Sequence, residues 1–136
     1  MLATSQHILV AEDNLAMADV VRFNLRNAGF TVTICRNGQD ALGTLHEQAI
    51  DLLITDYQMP GLTGEELCRA MRQDPRLMHV PAILLSAKGL ELDVDTLRNE
   101  LGLQAVLFKP FSPRELTQLV RTTLESVLKP ALQTPA

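Results

Sequence analysis

Five short runs of nearly continuous apolar residues, rich in β-branched side chains, fall at 7–11, 30–35, 51–55, 82–85 and 105–108. Runs this short and this uniformly apolar suit parallel strands covered on both faces. Between and after them the apolar period changes to that of a helix. Met17, Val21, Leu25 and Ala28 precede a stop at Gly29, and Leu42, Leu45 and Ala49 follow Gly38. Leu67 and Met71 lead to Asp74-Pro75, and Val94, Leu97 and Leu101 lead to Gly102. Leu116, Leu119, Val120, Leu124 and Val127 form the clearest stripe, behind Ser112 as N-cap and Pro113 in the first turn. Strand followed by helix, repeated five times, implies one α/β domain with a parallel sheet and right-handed crossovers.

Bulk properties narrow the function. A chain of 136 residues with 46% hydrophobic and 21% charged residues has the length and composition of a single soluble domain with one core. A net charge of −4 without a basic stripe argues against nucleic-acid binding and against docking on anionic membranes. No apolar run approaches the roughly 18 to 20 residues that span a bilayer, and the N-terminus lacks a secretory pattern. Cys35 and Cys68 lie too far apart for a metal-binding pair and are expected as reduced thiols. A cytoplasmic location is expected. After Val127 the period is lost and proline appears, so 1–128 is expected as the folded domain and 129–136 as a disordered tail or linker.

In an open parallel sheet, ligands bind beyond the carboxyl ends of the strands. Glu12 and Asp13 follow the first run, Asp56 the third, Ser86 the fourth, and Lys109 with Pro110 the fifth. The second run ends in the chemically quiet Cys35-Arg36-Asn37, which suits an edge strand. Singly, each residue has a structural explanation: Asp13 as a helix cap, Asp56 as a turn residue, Ser86 as a loop or helix cap, Lys109 as a surface amphipath. Jointly they put three acids, a hydroxyl and an ammonium at one end of four strands.

Three clustered carboxylates repel one another, so their pKa values rise unless a cation joins them. An all-oxygen set without histidine favours a hard ion, Mg²⁺, over zinc. One divalent ion and one lysine balance the three acids. Asp56 is then placed to become an acyl phosphate, with Lys109 and the metal stabilising charge on the transferring group. Ser86 is placed to donate a hydrogen bond to that group.

These residues resemble a known family. HILVAEDN, DLLITDYQMPGLTGEEL, PAILLSAKG and LFKPF together resemble the response regulator receiver domain of two-component signalling, over residues 7 to about 127. The resemblance implies a flavodoxin-like three-layer sandwich with a five-stranded parallel sheet in the order 2-1-3-4-5. It implies that Asp56 accepts a phosphoryl group from a histidine kinase or phosphotransfer protein. Glu12, Asp13, Asp56 and the main-chain carbonyl of Gln58 would hold Mg²⁺, Ser86 would be the switch hydroxyl, and Lys109, before a cis Pro110, would contact the phosphoryl group. Gln58 and Lys88 stand where the family tunes the lifetime of that group. The product would be a switch rather than an enzyme, read by a downstream protein at the surface around the fourth helix, fifth strand and fifth helix.

One position departs from the pattern. Where the family carries an aromatic residue three before the lysine, this chain has Val106, which is stiff and has no ring to relocate. Phe108 shares its strand face and is a candidate to fill part of the missing volume. Two rival functions stay open at this level. A phosphatase with an aspartyl-phosphate intermediate needs an acid two residues past the nucleophile, where Gln58 stands. The other is a receiver-like interaction module that is never phosphorylated. The chain could also be the regulatory domain of a longer protein. His7, His46 and His79 show no ligand spacing, and Gly61 to Gly64 read as a turn before the third helix.

Overall fold

A computed structural model describes residues 5–87 and 93–132, with side chains as far as 127. The elements are β1 (His7–Ala11), α1 (Leu15–Asn27), β2 (Thr31–Cys35), α2 (Gly38–Glu47), β3 (Leu52–Asp56), α3 (Gly64–Gln73), β4 (Ala82–Ala87), α4 (Val94–Leu101), β5 (Leu103–Lys109) and α5 (Pro113–Leu132). All strand pairs are parallel, in the order β2-β1-β3-β4-β5. This is the expected flavodoxin-like three-layer architecture.

The two-residue side-chain period divides each inner strand between two cores. Leu9, Leu53, Ala82 and Leu84 pack with Ala41 and Leu45 of α2, Leu67, Cys68 and Met71 of α3, and Leu101 of α4. Ile8, Val10, Leu52, Ile54, Ile83 and Leu85 pack with Val21 and Leu25 of α1 and with Leu116, Val120 and Leu124 of α5. Every residue of β3 is buried, which explains its lack of polar alternation.

Local signals set the helix ends. The Asn14 side chain accepts from the Met17 N–H at 3.0 Å and caps α1, so Asp13 is not the cap. Thr63 and Glu66 form a reciprocal capping box on α3, and Asp93 caps α4. Gly102 ends α4 with φ of 62°, a left-handed conformation that glycine adopts without a Cβ penalty. Ser112 accepts from the Glu115 N–H at 3.0 Å at the start of α5.

Several boundaries differ from the sequence-based expectation, most of all at three elements. β5 begins at Leu103 because Ala82 pairs with Leu103 while Ile83 pairs with Ala105, leaving Gln104 as an extra, exposed residue. A polar bulge residue breaks the apolar run and hides the start of the strand. β4 continues through Ser86 to Ala87, and α5 continues past Val127 to Leu132. Lys88 and residues 133–136 lie outside the described residues.

Arg72 is a polar tie within the layer of α2, α3 and α4. Its guanidinium donates to the carbonyls of Leu101 (2.7 Å), Gly102 (3.0 Å), Met78 (2.8 Å) and Val80 (2.7 Å). It thereby fastens α3 to the end of α4 and to the segment leading into β4. Burial lowers its pKa, yet the group stays charged at any ordinary pH. Arg72→Met keeps the stem and removes these bonds. It is expected to cost roughly 2 to 3 kcal/mol in urea unfolding; a change within roughly 0.5 kcal/mol, as at ordinary surface sites, would contradict this role.

Candidate functional site

Pairing in register brings the strand ends to one rim. Ala11 pairs with Thr55, Asp56 with Leu85, and Ala87 with Lys109. The Glu12 N–H donates to the Cys35 carbonyl at 3.0 Å, continuing the sheet for one residue past β1. By the strand period, Asp56, Ala87 and Lys109 fall on the α1/α5 side, in line with Ile54, Leu85 and Leu107.

The expected charged residues meet there. Lys109 Nζ lies 3.1 Å from Glu12 Oε1 and 3.1 Å from Asp56 Oδ1. Carboxylate oxygens of Glu12, Asp13 and Asp56 all lie within 4.8 Å of one another, the one such cluster of potential metal ligands among the described residues. Glu12 and Asp56 are buried, and Asp13 faces solvent. A cavity of about 300 Å³ opens beside them, walled by Glu12, Asp13, Asn14, Asp56, Tyr57, Gln58, Ala87 and Lys109. Gln58 therefore lines the cavity. The Lys109–Pro110 peptide is cis, as expected.

Ser86 is placed differently. It pairs with Phe108, lies on the face of Leu84 and Val106, and is fully buried. Its hydroxyl donates to the Ala87 carbonyl at 3.5 Å, and Ala87 rather than Ser86 forms the wall of the cavity. The one-residue offset follows from strand alternation. Val106 packs at the margin of the α2/α3/α4 core, but Phe108 is 37% exposed. The expectation that Phe108 fills the volume left by Val106 does not hold in this conformation. Its ring stands outward at the end of an edge strand.

The electrostatics are those of a crowded, partly dry acidic site. Burial raises the pKa of Asp56, and the charge of Asp13 adds to the rise. Lys109 and the Tyr57 N–H oppose it. Burial likewise raises Glu12, as does the charge of Asp56, against the Asn14 N–H (3.2 Å) and Lys109. Burial works against the ammonium of Lys109 too, but its bond to Glu12 and the charges of Asp56 and Glu12 prevail, and its pKa rises. One ammonium does not neutralise three acids. The all-oxygen donor set, its spacing and its surplus negative charge fit a hard divalent cation.

Several positions acquire meaning only in three dimensions. A Cβ on Gly64 would collide with the main-chain carbonyl of Asp56, so α3 starts against the back of the acidic residue. The Gly64 N–H donates to Tyr57 O at 3.0 Å, the Tyr57 N–H to Leu85 O at 2.7 Å, and Thr55 Oγ1 to Asp56 O at 3.0 Å. The turn at 61–64 thus acts as a support for Asp56 and does not line the cavity. Nothing in the sequence marks Gly64 beyond its glycine, and no periodicity marks Tyr57 or Asn14. Cys35 and Cys68 are free and buried, and burial pushes Cys68 up to about 12.

Comparison with known proteins gives a consistent picture. The family described as response regulator receiver domain matches residues 8–121. A chain described as a response regulator from Chloroflexus aurantiacus J-10-fl is 31% identical, with a TM-score of 0.82 over 89% of this chain and 98% of that one. A receiver domain protein from Clostridium thermocellum is 26% identical, with a TM-score of 0.79 over 89% and 95%. The chemotaxis protein CheY4 of Vibrio cholerae is 25% identical, with a TM-score of 0.77 over 91% and 99%.

Two outcomes follow from this geometry. A carboxylate whose pKa is raised on folding destabilises the fold fully above the raised value, and the penalty fades as pH falls to the ordinary 3.8 of an aspartate. Asp56→Asn should therefore stabilise the metal-free protein at neutral pH by about 1 kcal/mol, with the gain vanishing in acid. Calorimetric melting across pH measures it, and a loss of stability at pH 7 would refute it. Gly64→Ala should cost about 1 to 3 kcal/mol in chemical unfolding, because the methyl group meets backbone that cannot rotate away; an unchanged midpoint would show that α3 can move aside freely.

Proposed function

The chain belongs to the response regulator receiver domain family, and from that premise we propose that it is a phosphorylation-driven signalling switch whose acceptor is Asp56. The observation that supports this most is the single ammonium of Lys109 lying 3.1 Å from both Asp56 and Glu12, beside a third acid, at an open cavity.

An oxygen of the Asp56 carboxylate attacks the phosphorus of a phosphohistidine on a histidine kinase or phosphotransfer protein, or of a small acyl phosphate. The bond from phosphorus to the donor breaks with its electron pair leaving on the donor, and Asp56 becomes an acyl phosphate. Lys109 opposes the rise that burial causes in the Asp56 pKa and lies beside the oxygens that gain charge in transfer. Glu12, Asp13, Asp56 and the Gln58 carbonyl are the groups that would hold Mg²⁺, which supplies charge neutralisation at the transferring phosphoryl group. Gln58, without a titratable proton, provides no general acid for turnover of a phosphate ester. The group therefore ends on the protein as a signal, and the chain acts as a switch.

The phosphoryl group adds about one further negative charge and new acceptor oxygens to the rim. Ser86 would serve it by turning its hydroxyl from the Ala87 carbonyl toward the cavity. Movement at the end of β4 would alter the neighbouring face of α4, β5 and α5, where Phe108 is exposed, and with it affinity for a downstream protein. A net charge of −4 favours a protein partner over nucleic acid or an anionic membrane. Among the described residues no helix is long and apolar enough to cross a membrane.

Acetyl phosphate with Mg²⁺ should add one phosphoryl mass to the protein, read by intact mass spectrometry. Asp56→Asn should take up none, and Lys109→Ala should be slower by about 10²-fold or more. Equal labelling of Asp56→Asn would overturn the assignment.

A further inference from the structure

The residue after Asp56 is the chain's single tyrosine, and its hydroxyl reaches across to α3. Tyr57 Oη donates to Glu65 Oε1 at 3.4 Å. Glu65 Oε2 in turn accepts from Arg69 Nε at 3.2 Å and Nη2 at 2.8 Å. The same Nη2 donates to Glu100 Oε1 in the last turn of α4 at 2.8 Å. Opposite a carboxylate, which only accepts, the phenol O–H is the donor.

We propose that the state of Asp56 is transmitted to α4 through Tyr57, Glu65, Arg69 and Glu100, a chain of side-chain hydrogen bonds across α3, in place of an aromatic side chain at position 106. The inference rests on the phosphoacceptor reading and concerns how that site is read out.

Three features support the chain as a route. Tyr57 is tied to the site by its backbone: its N–H donates at 2.7 Å to the carbonyl of Leu85, the residue with which Asp56 pairs. Its carbonyl accepts from Gly64, the residue before Glu65, so backbone and side chain both couple Tyr57 to the first turn of α3. At the far end, Arg72 fixes the carbonyls of Leu101 and Gly102 to α3, leaving the Arg69–Glu100 contact beside an anchored helix terminus. Converting the Asp56 carboxylate alters the residue directly before Tyr57 in the chain. A displacement of Tyr57 alters its hold on Glu65 and frees or tightens Arg69 for Glu100. Val106 has no ring with which to carry the signal through β5.

Exposed ion pairs are individually weak, so coupling at the low end of the usual range, about five-fold, is expected. The test uses the intact chain with Mg²⁺ and beryllofluoride as the phosphoryl mimic. Bound mimic is counted by native mass spectrometry, and hydrogen exchange is followed at the amides of Val94–Leu101. The parent should bind the mimic and change α4 exchange about five-fold. Arg69→Gln and Glu100→Gln, away from the cavity, should bind it equally but lose most of that response, and Tyr57→Phe should lose as much per bound mimic. Tyr57→Phe keeps its ring against the core, while Arg69 and Glu100 are surface residues, so folding is preserved. Tyr57→Phe combined with Glu100→Gln should lose no more than either alone. A full response in Tyr57→Phe, or losses that add in the double variant, would overturn the relay while leaving the phosphoacceptor reading intact. A parent that binds no mimic would remove both.

Discussion

Lys109 brings one ammonium to two carboxylates that arrive from different strands, and the placement of the site depends on that contact. Glu12 leaves the end of β1 and Asp56 ends β3, while Lys109 comes from β5 at the sheet edge. Their side chains meet at 3.1 Å only because the parallel register aligns these ends on one rim and one face. Burial that suits the surrounding apolar core works against both acids, and one lysine leaves the cluster short of positive charge. The fold thus retains an electrostatic conflict at its rim which a divalent cation is suited to resolve.

The layer of α2, α3 and α4 supports that rim from below. α3 begins so close to Asp56 that only a glycine fits, its capping box fixes the first turn, and Arg72 fastens its last turn to the α4–β5 junction. Movement at Asp56 is therefore resisted by a braced helix on one side, and the side chains of Tyr57, Glu65 and Arg69 lie along that brace. A switch needs a rigid element as well as a mobile one, because only discrete rearrangements carry a signal over distance.

Much of this was legible in the residue order. Uniformly apolar runs identify buried parallel strands, glycine and proline stops divide the helices, and polar residues after four separate runs mark one end of the sheet. The order of the strands came from family resemblance, since periodicity says nothing about which strands are neighbours. What stayed hidden depends on close approach or on register. Gln104 disguises the start of β5 because a bulge residue is polar for local reasons. Asn14 displaces Asp13 as the cap of α1, leaving Asp13 for the rim. Ser86 sits one residue out of phase with the cavity wall, which only the pairing of β4 with β5 reveals. Gly64 and Arg72 make their contacts over sequence distances at which no local pattern operates.

The most direct test of the charge cage is a Mg²⁺ titration followed by the fluorescence of Tyr57, the single tyrosine in a chain without tryptophan. If the acids and Lys109 act as one electrostatic unit, Asp13→Asn should weaken Mg²⁺ binding and Lys109→Met should tighten it, each by about an order of magnitude at low salt. Equal affinity in the parent and both variants, or no saturable signal in the parent, would contradict it.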